Sequence, residues 1–184
     1  MKLITKPKII EDSIINRCKK GDNIAFEEIY NKYKKAMLNL SYRFLNRTED
    51  ANDVLQESFI KAFQNISNFE NEAAFGSWLK RVVINHSIDI LKKKKNNSIS
   101  IDQLEIIEEI EEPNDIKYDI ETVKKCIQEL PDGYRIVLTL YLFEDYSHKE
   151  IANTLNISES TSKSQYNRAK KKIIQLIQDK KLDI

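Results

Sequence analysis

The sequence predicts an all-α protein made of two small helical domains joined by an acidic linker. The chain of 184 residues contains only 3 glycines and 3 prolines, which favours long helices over tight turns. Apolar side chains recur at intervals of three and four residues in several stretches, and this is the period of an amphipathic helix. Charge is also sorted along the chain, so the net charge of +1 conceals three different segments.

The three segments differ in the sign of their charge. Residues 1–101 contain 18 Lys and Arg against 12 Asp and Glu, residues 102–121 contain 1 against 9, and residues 122–184 contain 11 against 8. Basic segments are candidates for binding nucleic acid, whereas a strongly acidic segment is not. Two basic domains on either side of an acidic linker are therefore expected.

The first domain is expected to cover residues 10–95 and to be a compact bundle of three or four helices. The first helix follows Gly21-Asp22, Thr48 is expected to cap the second, and the loop Ser67–Ala73 precedes the third. The residues on their inner faces form the predicted core: Phe26, Ile29, Tyr33, Met37, Leu40, Phe44, Ala51, Val54, Leu55, Ser58, Phe59, Ala62, Phe63, Phe75, Trp78, Leu79, Val82, Val83, Ile90 and Leu91.

The second domain is expected to cover residues 120–180, after a mostly extended linker over residues 96–119. Its helices are interrupted at Leu130-Pro131 and again around residues 144–146. The last helix is predicted to start after Asn156-Ile157 and to run to about Gln178.

The end of the second domain has the pattern of a helix-turn-helix. Ser147 can cap a short helix, Ala152 permits close approach of a second helix, and Asn156 can adopt the left-handed turn conformation. Ser158 can then cap the last helix, whose first turns are rich in hydroxyl side chains that are only moderate helix formers. In a helix-turn-helix, the second helix enters the major groove by its N-terminal part.

Small polar side chains on such a helix suit contacts with base edges, and basic side chains suit contacts with phosphates. A surface helix with a solvated charged face is the alternative interpretation. The candidate DNA contacts of the last helix are Ser160, Thr161, Lys163, Ser164, Gln165, Asn167, Arg168 and Lys171.

A second candidate site lies around the loop before the third helix. Phe69, Phe75 and Trp78 surround an Asn- and Glu-rich loop, and basic residues follow on the helix. Aromatic rings beside cations suit single-stranded DNA, because bases stack on the rings and phosphates meet the charges. Core packing is the alternative for these aromatic residues, and for Phe75 it is the preferred one.

Catalytic, metal and membrane functions find little support. Cys18 and Cys126 lack metal or redox spacing and are expected to be buried or free thiols. His86 and His148 are the only histidines, and no metalloprotease, phosphate-loop or serine-hydrolase motif accompanies them. No apolar run reaches the roughly 18 residues of a membrane span, and the first residues lack the apolar block of a signal peptide. A cytoplasmic protein without membrane insertion, catalytic residues, metal or cofactor is expected.

Three segments, residues 50–66, 75–95 and 130–173, together with the acidic spacer, occur in the order seen in bacterial RNA polymerase sigma factors. The chain resembles the extracytoplasmic-function (ECF) group of that family over about residues 10–178. This resemblance implies a promoter-specificity subunit that binds core RNA polymerase, recognises the minus-thirty-five and minus-ten promoter elements and helps to melt the DNA. An anti-sigma protein is a further candidate partner.

The resemblance also implies a role for particular residues. Helix residues 159–172 match the reader of the minus-thirty-five element. The predicted contacts with minus-ten and melted DNA are Asn68, Phe69, Glu70, Asn71, Trp78, Lys80, Arg81 and Asn85. The predicted contacts with the clamp of the polymerase largest subunit are Asp53, Gln56, Glu57 and Ile60. The flap of the second-largest subunit is a further expected contact of the chain.

Ser162 departs from the family pattern, in which a Val-like residue packs against the preceding helix. By its spacing Ser162 is expected to face the protein, and a valine in its place is expected to stabilise the domain. Two other functions are compatible with parts of the sequence. One is an ordinary helix-turn-helix repressor or activator that binds an operator as a dimer. The other is a small all-α hydrolase.

Overall fold

The structure is a computed structural model that describes residues 13–94 and 119–182. Every regular element in these two ranges is helical, which confirms the predicted fold class. The predicted linker lies outside the described residues, apart from Asp119. The α-helices are α1 (Ile14–Lys19), α2 (Asn23–Leu45), α3 (Thr48–Gln64), α4 (Glu72–Lys94), α5 (Ile120–Glu129), α6 (Asp132–Leu142), α7 (His148–Leu155) and α8 (Glu159–Leu182), and a 3₁₀ turn covers Ile66–Asn68.

Local hydrogen bonds explain where most of these helices begin. The Asp22 carboxylate accepts hydrogen bonds from the backbone amides of Ile24 and Ala25 at the start of α2. Ser158 accepts from the amide of Thr161 and so caps α8 as predicted. The predicted cap of α3 is wrong, because Thr48 is the first residue of that helix and receives no cap itself. Acidic residues in the first turn of α3 favour its start by interacting with the helix dipole.

The turn between α7 and α8 depends on residues at both ends of α7. Ser147 and Glu150 form a reciprocal capping box, in which each side chain accepts from the other residue's backbone amide. Asn156 ends the helix at φ 58°, in the left-handed region predicted for it. The helix-turn-helix geometry is therefore encoded within these ten residues.

The first domain is built from α2, α3 and α4 around buried aromatic and aliphatic side chains. Phe44, Phe75 and Leu79 have no exposed surface, which confirms Phe75 as a core residue. The start of α4 approaches α2 closely at Gly76, where an added Cβ would lie 2.9 Å from the Tyr33 hydroxyl oxygen. That hydroxyl also donates a hydrogen bond to the Glu72 carboxylate over 3.2 Å. These contacts hold the loop before α4 against the domain.

The second domain packs directly against the first, mainly through α6 on α2. Arg135 of α6 is 3% exposed and donates hydrogen bonds to the carbonyl oxygens of Leu130 and Phe44, over 2.7 Å and 3.2 Å. The Asn46 amide at the end of α2 donates to the carbonyl of Gln128 over 2.9 Å. Phe44 lies in the last turn of α2, whose carbonyls have no partner within the helix, so Arg135 acts as a cap supplied by the other domain.

Candidate nucleic-acid interface

The faces of α8 are sorted by polarity along its first three turns. Ser160, Lys163, Ser164 and Asn167 are exposed and follow the three- and four-residue spacing of one helix face. Arg168 and Lys171 continue this face and are partly exposed. We call these six residues the α8 edge. It combines hydroxyl and amide groups that can bind base edges with basic groups that can bind phosphates.

Thr161 and Gln165 lie away from the α8 edge. Thr161 is partly exposed, and its hydroxyl shares a hydrogen bond of 2.7 Å with the capping Ser158. Gln165 is only 1% exposed, on the inner face of α8 with Ser162 and Ala169. The side chain of Gln165 therefore cannot reach a base, which corrects the sequence-based prediction that it contacts DNA. The helical period signals this, because Gln165 lies three residues after Ser162 and four before Ala169, on the same helix face.

The inner face of α8 contacts α7 through a histidine that the sequence analysis did not assign. His148 Nδ1 lies 2.9 Å from Ser162 Oγ, within hydrogen-bond distance. The imidazole ring stacks on Tyr141, with ring centres 4.6 Å apart and planes 14° apart, and the Tyr166 ring packs against both at a steep angle. Ser162 is fully buried, as predicted from its spacing. This cluster fixes the position of α8 relative to α7.

We expect Ser162→Val to lower the free energy of unfolding by about 1–2 kcal/mol, because it deletes a buried hydrogen bond and crowds a closed contact. This reverses the expectation from the sequence that valine would stabilise the domain, because valine cannot form the hydrogen bond with His148. Urea denaturation measures the effect. Ser162→Ala separates the lost hydrogen bond from crowding, and Ser164→Val on the exposed face controls for the lower helix propensity of valine. A midpoint for Ser162→Val at or above that of the wild type would contradict this prediction.

Charged residues near the start of α7 and α8 are held in their ionised form. The Ser147 hydroxyl and backbone amide lower the pKa of Glu150, and the charge of Arg81 adds a smaller contribution. Lys163 lowers the pKa of Glu159, which it contacts at 2.7 Å. Lys163 can exchange this exposed carboxylate for a phosphate at little cost, because exposed ion pairs are weak in water.

In the first domain, the loop before α4 presents polar residues on an aromatic base. Asn68, Glu70 and Asn71 are exposed, and the Asn71 side chain accepts a hydrogen bond from the amide of Ala74 at the start of α4. Phe69 is only 8% exposed, and its ring centre lies 5.1 Å from that of the half-buried Trp78. Phe69 is therefore a support for the loop, and the predicted contact of its ring with a base is not available in this arrangement.

The three polar residues predicted to contact DNA from α4 point in two directions. Lys80 and Arg81 face the second domain, where Lys80 Nζ lies 2.6 Å from a carboxylate oxygen of Glu144. Asn85 instead lines a groove of about 360 Å³ between α3 and α4. His86 lies in the same groove, with Nε2 3.1 Å from the Glu57 carboxylate, so it is a partnered residue between two helices.

The predicted polymerase contacts form one exposed stripe on α3. Asp53, Gln56, Glu57 and Ile60 are all exposed and follow the spacing of a single helix face. Ile60 is 58% exposed, so this face carries one large apolar side chain among polar ones. We call these four residues the α3 stripe. An apolar side chain ringed by polar ones is typical of a protein-binding surface.

Other kinds of site find no basis in the described part of the chain. No group of three or more His, Cys, Asp or Glu residues that could hold a metal occurs within 13–94 and 119–182. Both cysteines are buried and unbonded, and burial raises the pKa of each thiol. None of the helices in the same ranges is long and apolar enough to cross a membrane.

Comparison with known families accounts for both domains. Residues 29–97 match Sigma-70 region 2, and residues 120–173 match Sigma-70, region 4. The Bartonella quintana sigma factor RpoE, in its complex with the anti-sigma factor NepR, shares the fold with a TM-score of 0.53 at 19% identity. That match covers 83% of this chain and 96% of the RpoE chain. The α8 edge therefore lies in the region 4 match, and the α3 stripe lies in the region 2 match.

Two curated relatives match nearly the whole chain. The RNA polymerase sigma-H factor of Pseudomonas aeruginosa is 32% identical over 91% of this chain and 94% of its own length. The ECF RNA polymerase sigma factor SigW of Bacillus subtilis is 32% identical over 90% of this chain and 95% of its own length. These matches do not favour the alternative of an ordinary helix-turn-helix regulator. The chain belongs to the ECF group of bacterial RNA polymerase sigma factors, the promoter-recognising subunits of the transcription machinery.

Proposed function

We propose that this sigma factor reads the minus-thirty-five element with the α8 edge and the minus-ten element with the loop before α4 and the cations of α4. The main support for this proposal is the separation of polar and buried residues on opposite faces of α8. Groups that can bind bases and phosphates lie on the outer face, while Ser162, Gln165 and Ala169 pack inward. A helix that only supported the domain would have no need of hydroxyl residues in its first turns.

The α3 stripe is the proposed contact with the clamp of the polymerase largest subunit, and the second domain is the proposed contact with the flap of the second-largest subunit. The exposed Ile60 supports the first assignment, because an apolar centre with a polar rim is the usual arrangement of a docking surface. Asp53 and Glu57 supply acidic groups at its edge, which would pair with basic side chains on the clamp.

The proposed role requires no chemistry from this chain. Promoter recognition needs hydrogen bonds, stacking and phosphate contacts, so we propose a cytoplasmic protein that acts without a cofactor and without catalytic residues of its own. An anti-sigma protein is included as a candidate inhibitor, because RpoE of similar fold was solved with one. Affinity capture of the tagged chain from its native cells tests for both core polymerase and such an inhibitor.

Run-off transcription with core polymerase tests the proposal directly. Promoters are first selected from genomic fragments by the holoenzyme formed with this chain. We expect transcripts of defined length only when the chain is added, and we expect replacement of either promoter element to abolish them. Failure to bind core polymerase, or initiation that ignores both elements, would exclude the proposed function. A stable dimer bound to a two-fold symmetric operator would support the ordinary regulator instead.

A further inference from the structure

A buried carboxylate joins the two domains. Glu144 lies in the turn between α6 and α7, and its side chain is 3% exposed. One of its oxygens lies 3.4 Å from Nη1 of Arg43 on α2, and the other lies 2.6 Å from Nζ of Lys80 on α4. The Lys80 contact is an ion pair at an angle outside that of a directed hydrogen bond. Both cations belong to the first domain, and the carboxylate belongs to the second.

The position of Glu144 depends on the contact between the domains. A buried carboxylate loses its hydration, and this cost is offset only when its cationic partners are in place. The Arg43 guanidinium also lies over the Phe143 ring, 4.9 Å from its centre, so the same side chain supports the turn twice. Removal of one partner leaves a charge that is better solvated in water, which favours separation of the domains.

The cations next to this contact are those assigned to minus-ten DNA. Lys80 contacts Glu144 directly, and the neighbouring Arg81 is close enough to Glu150 for its charge to contribute to the lowered pKa of that carboxyl. Carboxylate and phosphate oxygens are alternative partners for the same ammonium and guanidinium groups. Two acidic residues of the second domain therefore lie where the phosphates of minus-ten DNA would be expected.

While its two domains are in contact, the chain is also too short to reach both promoter elements. The minus-thirty-five and minus-ten elements are about 25 base pairs apart, or roughly 85 Å at 3.4 Å per base pair of duplex. The second domain touches the first at Lys80, one of the residues assigned to the minus-ten element. Binding of both elements thus requires the domains to separate.

We propose that Glu144, with Arg43 and Lys80, forms an interdomain latch that keeps the uncomplexed chain closed and pairs its minus-ten cations with acidic groups of its own second domain. The proposal rests on the assignment of Lys80 and Arg81 to DNA binding. Single-stranded DNA competes with the latch for Lys80, and docking on polymerase competes by holding the domains apart. The latch lowers the affinity of the uncomplexed chain for DNA without involving a second protein.

The first test measures domain separation without DNA or polymerase. Donor and acceptor dyes are attached to cysteines introduced at the exposed positions Asn31 and Gln178 of the full chain. The native thiols are buried and have raised pKa values, so they react slowly with the dyes. We expect Glu144→Gln and Arg43→Gln each to lower the energy transfer between the dyes. We also expect the transfer of each variant to fall at a lower salt concentration than that of the wild type.

Glu121→Gln is the matched control for this measurement. It removes one negative charge from the same domain, at an exposed residue whose partner Lys124 lies on the same helix. We expect its energy transfer to equal that of the wild type. If Glu144→Gln and Arg43→Gln also leave the transfer unchanged, no latch exists. Circular dichroism checks that each variant retains its helices. If Glu144→Gln unfolds, Arg43→Gln still tests the latch, because Arg43 is exposed.

The second test measures whether the latch masks DNA-binding cations. The probe is a fluorescein-labelled oligothymidylate of twelve nucleotides, bound by the uncomplexed chain. For Glu144→Gln we expect an affinity about three- to tenfold higher than that of the wild type, and a salt dependence steeper by about 0.7 for each additional phosphate that the chain neutralises. Glu121→Gln is expected to change the affinity by less than twofold, because the exposed Glu121 pairs with Lys124 on its own helix and with no cation of the first domain that carries the latch.

A double variant shows whether the gain acts through Lys80. Adding Lys80→Gln to Glu144→Gln is expected to abolish the gain in oligothymidylate binding while the domains remain apart in the dye measurement. A gain that persists without Lys80, or that Glu121→Gln reproduces, would overturn the masking proposal. Failure of the proposed promoter function is seen separately, as absence of run-off transcription by the wild-type holoenzyme.

Discussion

Ile60→Glu is expected to weaken binding of this sigma factor to core RNA polymerase about 30-fold or more, the loss typical of a central interface residue. The side chain is 58% exposed in the uncomplexed chain, and binding would bury it at the centre of the α3 stripe. A carboxylate there would lose its hydration without gaining a partner. Fluorescence anisotropy of the labelled chain, titrated with core polymerase, measures this affinity.

Ile24→Glu is the matched control for this prediction. Ile24 is 65% exposed at the start of α2, so the same change is made at an equally accessible isoleucine outside the α3 stripe. We expect both variants to melt within a few degrees of the wild type, because neither side chain belongs to the core. Equal loss of polymerase binding in the two variants would remove the α3 stripe as the docking surface.

Ser164→Glu is expected to reduce binding of the holoenzyme to minus-thirty-five DNA by about 10- to 100-fold, the range for loss of a good base contact. Ser164 is exposed in the middle of the α8 edge, and its hydroxyl donates to the carbonyl of Ser160 over 2.9 Å. A carboxylate at this position would face the base edges and phosphates of the major groove and be repelled by them. Electrophoretic mobility shifts on a selected promoter duplex measure the change.

Gln178→Glu is the control for Ser164→Glu. Gln178 is exposed near the other end of α8, so the variant adds the same charge to the same helix, away from the proposed DNA contact. We expect less than a twofold change in binding from Gln178→Glu, and unchanged affinity of both variants for core polymerase. If Ser164→Glu binds promoter DNA as the wild type does, the α8 edge is not the reading surface.

The helix pattern and the turn of the helix-turn-helix could be predicted from the sequence because their causes are local. Asn156 adopts the left-handed conformation, and Ser158 caps α8, through contacts within a few residues. The inward position of Ser162 follows from the helical period alone. The α3 stripe is predictable for the same reason, since a helix brings residues three and four apart onto one face.

The sequence by itself determined the helices, their order and the family to which the chain belongs. Only the tertiary structure decided which polar side chains are available. Phe69 supports a loop, and Ser162 meets His148 across a turn. The clearest case is the pairing of Arg43 with Glu144, which are 101 residues apart. Such contacts depend on how two domains pack, and neither composition nor periodicity carries that information.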